Sequence, residues 1–145
     1  MPKQQVANVR PVSAKEVSVL AWIQDAYGNV LLIQQKGGKQ PWSLPGGKVR
    51  SSEALKVALR RELKEEIGLT VVCARVIDLF DRPERSSVAV LFQTKLRKGR
   101  LKLGPKEIKK AAFVSKLPAN ATPSVRYFWE RQFPSAGAMG SILDL

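Results

Sequence analysis

Four glutamates stand close together in a chain that is otherwise basic: Glu53, Glu62, Glu65 and Glu66. They are a third of the 12 acidic residues, which face 25 Lys and Arg for a formal net charge of +13 over 145 residues. The stretch that carries them has a helical pattern, with Ser51 or Ser52 as cap, Glu53 in its first turn and Gly68 as its stop. At about 100° per residue, with Leu55 as origin, Ala58 falls at roughly −60° and Leu59 at roughly +40°, facing the core. On the same count Glu62 lies at roughly −20°, Glu66 at roughly +20° and Glu65 at roughly −80°. The apolar stripe therefore becomes a carboxylate stripe toward the C-terminal end.

Such an arrangement opposes itself. Like charges three or four residues apart cost roughly 0.2–0.5 kcal/mol per pair. The negative end of the helix dipole adds to the repulsion. Arg61, placed to pair with Glu65 at i,i+4, and Lys64 offset part of it. A divalent cation between the carboxylates would remove the rest, so the pattern points to a metal site of oxygen ligands. The other reading is a solvated, salt-bridged helix face.

Composition narrows the chemistry further. There is no histidine and a single cysteine, Cys73. This excludes Ser-His and Cys-His nucleophile pairs, imidazole ligation, an intramolecular disulfide and a Cys-rich zinc centre. Oxygen ligands favour Mg²⁺, Mn²⁺ or Ca²⁺ among the common ions. The positive surplus points to anionic partners such as nucleotides or nucleic acid. No apolar run reaches the roughly 18 residues of a membrane span, and Met1 to Lys15 hold no signal-peptide core. No membrane partner and a cytoplasmic location are expected.

The elements that position the glutamates follow from pattern. Val17–Ile23 and Val30–Ile33 read as strands joined by an Asp25–Asn29 turn, a hairpin. Lys36 to Pro41 form a basic loop, and Trp42–Leu44 an extended piece that runs into Pro45-Gly46-Gly47. After the helix, Val71–Phe80 and Val88–Leu96 read as strands around a polar loop, Asp81–Ser87. Residues 95–110 carry eight Lys or Arg and one acid, Glu107. A short strand at Ala111–Val114 precedes a closing helix, Ser124–Gln132, capped by Thr122 with Pro123 at its first position. One mixed α/β domain over 16–134 is expected, between a loose arm at 1–15 and a tail at 135–145.

The segment from Gly47 to Leu69 reads Gly-x5-Glu-x7-Arg-Glu-Leu-x-Glu-Glu-x-Gly-Leu. It resembles an unbroken Nudix box, the signature of the Nudix hydrolases. At background frequencies a chance match in a chain of this length is roughly one in ten million. The preceding Leu44-Pro45-Gly46 resembles the family's approach to the box. The resemblance implies an α/β/α sandwich with a mixed sheet between helices. It also implies Mg²⁺- or Mn²⁺-dependent hydrolysis of a pyrophosphate bond in a nucleotide.

Carried over position by position, Glu62, Glu65 and Glu66 are the metal-ligand candidates, with the carbonyl of Gly47 completing the shell. Arg61 orients a box carboxylate. Glu53 and Gly68 are structural parts of the box. The general base is Glu62 or the downstream Glu107, and Lys48 is placed to meet a phosphate. Pro118-Ala119-Asn120 resembles the stretch of MutT-type nucleoside triphosphate pyrophosphohydrolases that carries a base-contacting asparagine, which assigns Asn120 to substrate. Cleavage of triphosphates to monophosphate and pyrophosphate is the first reading. ADP-ribose or another nucleoside diphosphate derivative is the alternative, through Pro83 beyond the box. Hydrolysis of an RNA 5′ end is a third reading, through the basic 95–110 segment, although that segment lacks the aromatics that stack on bases.

Overall fold

A computed structural model describes residues 14–134. The expected tail and nearly all of the expected N-terminal arm lie outside the described residues. The strands are β1 (Glu16–Trp22), β2 (Val30–Gln35), β3 (Trp42–Ser43), β4 (Gly46–Lys48), β5 (Val71–Arg82), β6 (Ser87–Leu96) and β7 (Ile108–Val114). The helices are α1 (Leu55–Ile67) and α2 (Pro123–Gln132). The expected mixed α/β sandwich is present. Its strands divide into a four-stranded mixed sheet, β4-β1-β6-β5, and a three-stranded antiparallel one, β3-β2-β7.

Strands covered on both faces read as continuous apolar runs, because successive side chains point to opposite sides. Val19 and Ala21 of β1, Leu31 and Ile33 of β2, and Val90 and Phe92 of β6 pack with Ala58, Leu59, Leu63 and Ile67 of α1. Trp22, Val30, Leu32 and Leu91 pack instead with Val125 and Phe128 of α2. Each fully buried Leu or Phe in these layers contributes about 1.5–3 kcal/mol.

Three local expectations need correction. The Asp25–Asn29 turn forms, with Asp25 Oδ1 accepting the N–H groups of Tyr27 and Asn29 at 2.9 Å each. Yet β1 and β2 do not make a hairpin. Beyond the Gln24–Val30 bridge they enter different sheets. Parting lets each strand pair on both edges, β1 with β4 and β6, β2 with β3 and β7.

The start of α1 differs too. Ala54 is its N-cap with no side-chain bond, no acid lies in its first turn, and neither serine caps it. Ser52 is left-handed at φ 62°. Glu53 precedes the helix, and its carboxylate accepts the Arg50 N–H and the Arg61 guanidinium. The stop is as expected: Gly68 is left-handed at φ 72°, and its N–H reaches the carbonyls of Leu63 and Lys64.

The loop at 81–87 is shorter than its polarity implies. β5 runs on to Arg82, and only a 3₁₀ turn, Pro83–Arg85, and left-handed Ser86 separate it from β6. At α2, Thr122 Oγ1 accepts the Val125 N–H and Pro123 is the first helical residue, as expected. Among the described residues, no helix is long and apolar enough to cross a membrane.

Candidate active site

The C-terminal half of α1 lies against β4, and two adjacent glycines make the contact possible. Gly46 has φ 140°, and a Cβ there would fall 2.0 Å from the Val19 carbonyl. A Cβ on Gly47 would fall 2.5 Å from Cδ of Glu62. The Glu62 carboxylate therefore sits directly on the Gly47 backbone. Gly46 offers its N–H to Glu66 Oε1 at 2.7 Å.

Glu66 is the anomaly of the site. It is 2% exposed, in a row of otherwise apolar buried residues on α1. Burial pushes its carboxyl up to about 8; the Gly46 N–H pulls down, and the nearby charges of Glu62, Glu107 and Glu65 push up again. Among the described residues no cationic side chain pairs with it. A buried carboxyl without a cationic partner stays neutral or takes up a cation, and the charged form here calls for the cation.

Arg61 organises the remaining acids. Its Nε and Nη2 donate to the two Glu53 oxygens at 2.8 and 2.9 Å. Nη1 donates to Glu62 Oε1 at 2.9 Å and lies 3.6 Å from Glu65 Oε2. Nη2 also reaches the Lys48 carbonyl at 3.2 Å. The fork bonds with Glu53, then those with Glu62, hold the guanidinium charged even more firmly than usual. Glu53 is held down at about 2, chiefly by Arg61 and then by the Arg50 N–H. The i,i+4 pair with Glu65 read from the sequence is present, but it is the longest of these contacts.

The donor set is all oxygen and fits a hard divalent cation. Among the described residues the acids do not converge into a finished three-ligand cage. Arg61 draws one Glu62 oxygen aside, and the Glu65 side chain is 46% exposed. Glu107 is exposed on the loop before β7, beside Glu65, where both line a depression of about 270 Å³. Glu62, Glu65, Glu66, Gly47 and Glu107 thus share one pole of the molecule.

Lys48 and Asn120 do not join it through any side-chain bond. The Lys48 Nζ lies 3.3 Å from Glu16 Oε2 and is largely exposed. Asn120 Nδ2 donates to the Gln40 carbonyl at 3.4 Å, and its own carbonyl accepts the Trp42 N–H at 2.8 Å. Asn120 is therefore tied to β3, on the loop that leads into α2.

The other face of β1 is open. A cavity of about 600 Å³ is walled by Ser18 and Leu20, by Phe80, Arg82 and Ala89, and by Ser124 at the start of α2. No box carboxylate lines it. Its wall β1 pairs with β4 in the register Ser18–Lys48, Val19–Gly47, Leu20–Gly46, so cavity and pole are one strand apart. Among the aromatics, Trp22 is buried against Trp129, Phe80 is stacked on Tyr127 at 4.3 Å, and Tyr27 is exposed at its turn. Arg82 lies over the Phe80 ring at 5.3 Å.

The sequence reading missed Gly46, Arg50, Arg82 and the cavity. The adjacent glycines were the available signal for Gly46. Arg50 acts through its backbone N–H to Glu53, which no side-chain pattern marks, and pairing of β5 with β6 and of β6 with β1 brings Arg82 and the cavity into place.

Residues 14–131 match the NUDIX domain family. The chain belongs to the Nudix family. Among solved structures, this Nudix domain is similar to the MutT NUDIX hydrolase of Burkholderia pseudomallei. The TM-score is 0.72 at 26% identity, over 81% of this chain and 98% of that one. It is 38% identical over 61 residues to the 8-oxo-dGTP diphosphatase of Haemophilus influenzae, covering 40% of this chain and 45% of that protein. It is 43% identical over 47 residues to the RNA pyrophosphohydrolase of Teredinibacter turnerae, covering 32% and 28%. The matched stretch thus spans less than half the length of either curated relative.

Proposed function

We propose that this Nudix domain is a Mg²⁺-dependent pyrophosphohydrolase that cleaves a nucleoside triphosphate to the monophosphate and pyrophosphate. The observation that carries the reading is Glu66: a buried carboxylate, bonded only to a backbone N–H, in a cluster of three further acids. In a chain of +13, that pole is where a cation is needed. When bound, the cation neutralises pyrophosphate oxygens and acidifies water.

The chain's own residues do the rest by placement, which is most of what phosphoryl transfer requires. Glu62, Glu65 and Glu66 hold the metal, with the Gly47 carbonyl beside them. Arg61 locks the Glu62 carboxylate and braces it on Glu53. One Glu62 oxygen is already taken by Arg61, whereas Glu107 holds no ion pair among the described residues. Glu107 is therefore the group we assign to take the proton from the attacking water, on a carboxylate oxygen. We place the nucleoside in the cavity on the other face of β1, where Phe80 and Arg82 meet, and keep Asn120, tied to β3, as the candidate for contact with the base. Lys48, on β4 between cavity and pole, is the residue we assign to the phosphates, in exchange for its pair with Glu16.

A panel of nucleotides with Mg²⁺ tests this by product. Pyrophosphate and monophosphate from a triphosphate support it. AMP and ribose phosphate from ADP-ribose, with triphosphates inert, would replace it by the alternative.

A second reading rests on the 95–110 segment. None of its eight basic side chains forms an ion pair among the described residues. A phosphodiester backbone leading from a 5′-triphosphate is an anion that such a surface fits. Preference for triphosphorylated RNA over free triphosphate, lost steeply with added salt, would favour that reading.

A further inference from the structure

The basic stretch between β6 and β7 stands out in the sequence by its charge. In the fold it is a strap across the C-terminal end of α1. The Arg97 N–H donates to the Thr70 carbonyl at 2.8 Å, Lys102 N–H to Ile67 at 2.8 Å, and Gly104 N–H to Glu66 at 3.0 Å. A helix leaves its last carbonyls without internal partners. The strap supplies two of them from outside the helix. The contact leaves no room for side chains at two glycines. A Cβ on Gly104 would lie 2.3 Å from the Glu65 carbonyl oxygen, and one on Gly68 would lie 2.8 Å from Lys102 Cβ.

The strap then closes into a turn. Glu107 N–H and Ile108 N–H both donate to the Gly104 carbonyl, at 3.2 and 3.0 Å. Lys36, next after β2, grips this turn twice. Its N–H donates to the Glu107 carbonyl at 2.8 Å, and its Nζ donates to the Pro105 carbonyl. The backbone around Glu107 is thus fixed from α1 on one side and from β2 on the other. An exposed loop does not need this many anchors, and a carboxylate on a free loop would lose entropy on each approach to the pole.

We propose that Gly104 and Lys36 are positioning residues that lock Glu107 beside Glu65 and Glu66, making it a standing part of the cation-holding pole. The proposal takes the pole's role from the functional reading above. It extends that reading to two residues outside the box, Gly104 on the strap and Lys36 next after β2.

The test is Mn²⁺ binding to the substrate-free protein, followed by electron paramagnetic resonance. Glu107→Gln should weaken affinity about tenfold or more, the usual effect of losing a group that supports a metal shell. Gly104→Ala should weaken it similarly. The double variant should bind no worse than Glu107→Gln, because both changes remove the same carboxylate from the pole. Lys36→Met should act in the same direction with a smaller effect, and it serves if Gly104→Ala does not fold. Gly99→Ala is the control on the same strap. Its Cβ would meet the flexible end of Leu69 at 3.1 Å, and affinity should match wild type.

Losses that multiply in the double variant would overturn the proposal, as would wild-type affinity in Glu107→Gln or in both Gly104→Ala and Lys36→Met. If the Mn²⁺ pattern holds but no nucleotide is hydrolysed, the functional reading fails and the strap stands.

Discussion

On the α1 side of β1, Val19 and Ala21 are wholly buried, and the glycines of β4 press so close that a side chain would collide with Glu62 or with the Val19 carbonyl. On the α2 side of the same strand, Ser18 and Leu20 wall an open cavity of about 600 Å³. The first face is tightly packed where Glu62 and Glu66 meet the glycines of β4. The second is loosely filled and lined by side chains that nothing in the box specifies. The difference teaches a division of labour. Under the proposed function, one face would carry the bond-breaking chemistry and the other the choice of what is bound, with β4 joining them at the edge. Such separation would let substrate change without disturbing the metal pole.

The largest expected break of this contrast is on the tight face. Glu62→Gln or Glu65→Gln should lower Mg²⁺-dependent turnover roughly 10²-fold or more, with the unfolding midpoint near wild type. Steady-state rates alongside thermal unfolding check both halves. Gly46→Ala should act on stability, by about 3 kcal/mol, since its Cβ meets backbone that cannot yield. Urea unfolding reads that directly.

Changes on the open face should look different. Arg82→Ala should raise KM about tenfold, the worth of one charge-assisted contact, and leave kcat unchanged. A fall in kcat at constant KM would collapse the proposed division. The smallest effect is with acid. Glu53 is held at about 2, against 4.5 for an ordinary glutamate. A lowered carboxyl stabilises the fold above its unfolded value and loses that contribution as pH falls from about 4.5 toward 2. Thermal midpoints of Glu53→Gln should therefore fall less steeply than wild type across that window.

The same contrast explains what the sequence could disclose. The box is a local pattern on one helix and its approach, so Glu62, Glu65, Glu66, Arg61 and Gly47 were nameable before any fold was known. Gly68 as stop and Thr122 as cap were equally local. The parting of β1 from β2 was not legible, because a turn signal says nothing about which sheet each strand joins. The missing serine cap was not legible either: the helix starts after Ala54, with Ser52 in a left-handed turn and Glu53 bonded to Arg61 eight residues away. Lys36, Gly104 and the cavity residues are ordinary in their own neighbourhoods. Only strand pairing and the docking of the strap give them a role.

The account rests on the buried carboxylate at the pole. The most direct measurement is phosphorus NMR of a purine nucleoside triphosphate incubated with Mg²⁺ and either wild-type protein or Glu66→Gln. The account predicts monophosphate and pyrophosphate from wild type, and neither from a Glu66→Gln protein that circular dichroism shows to be folded. Equal product from both proteins, or orthophosphate in place of pyrophosphate, would contradict it.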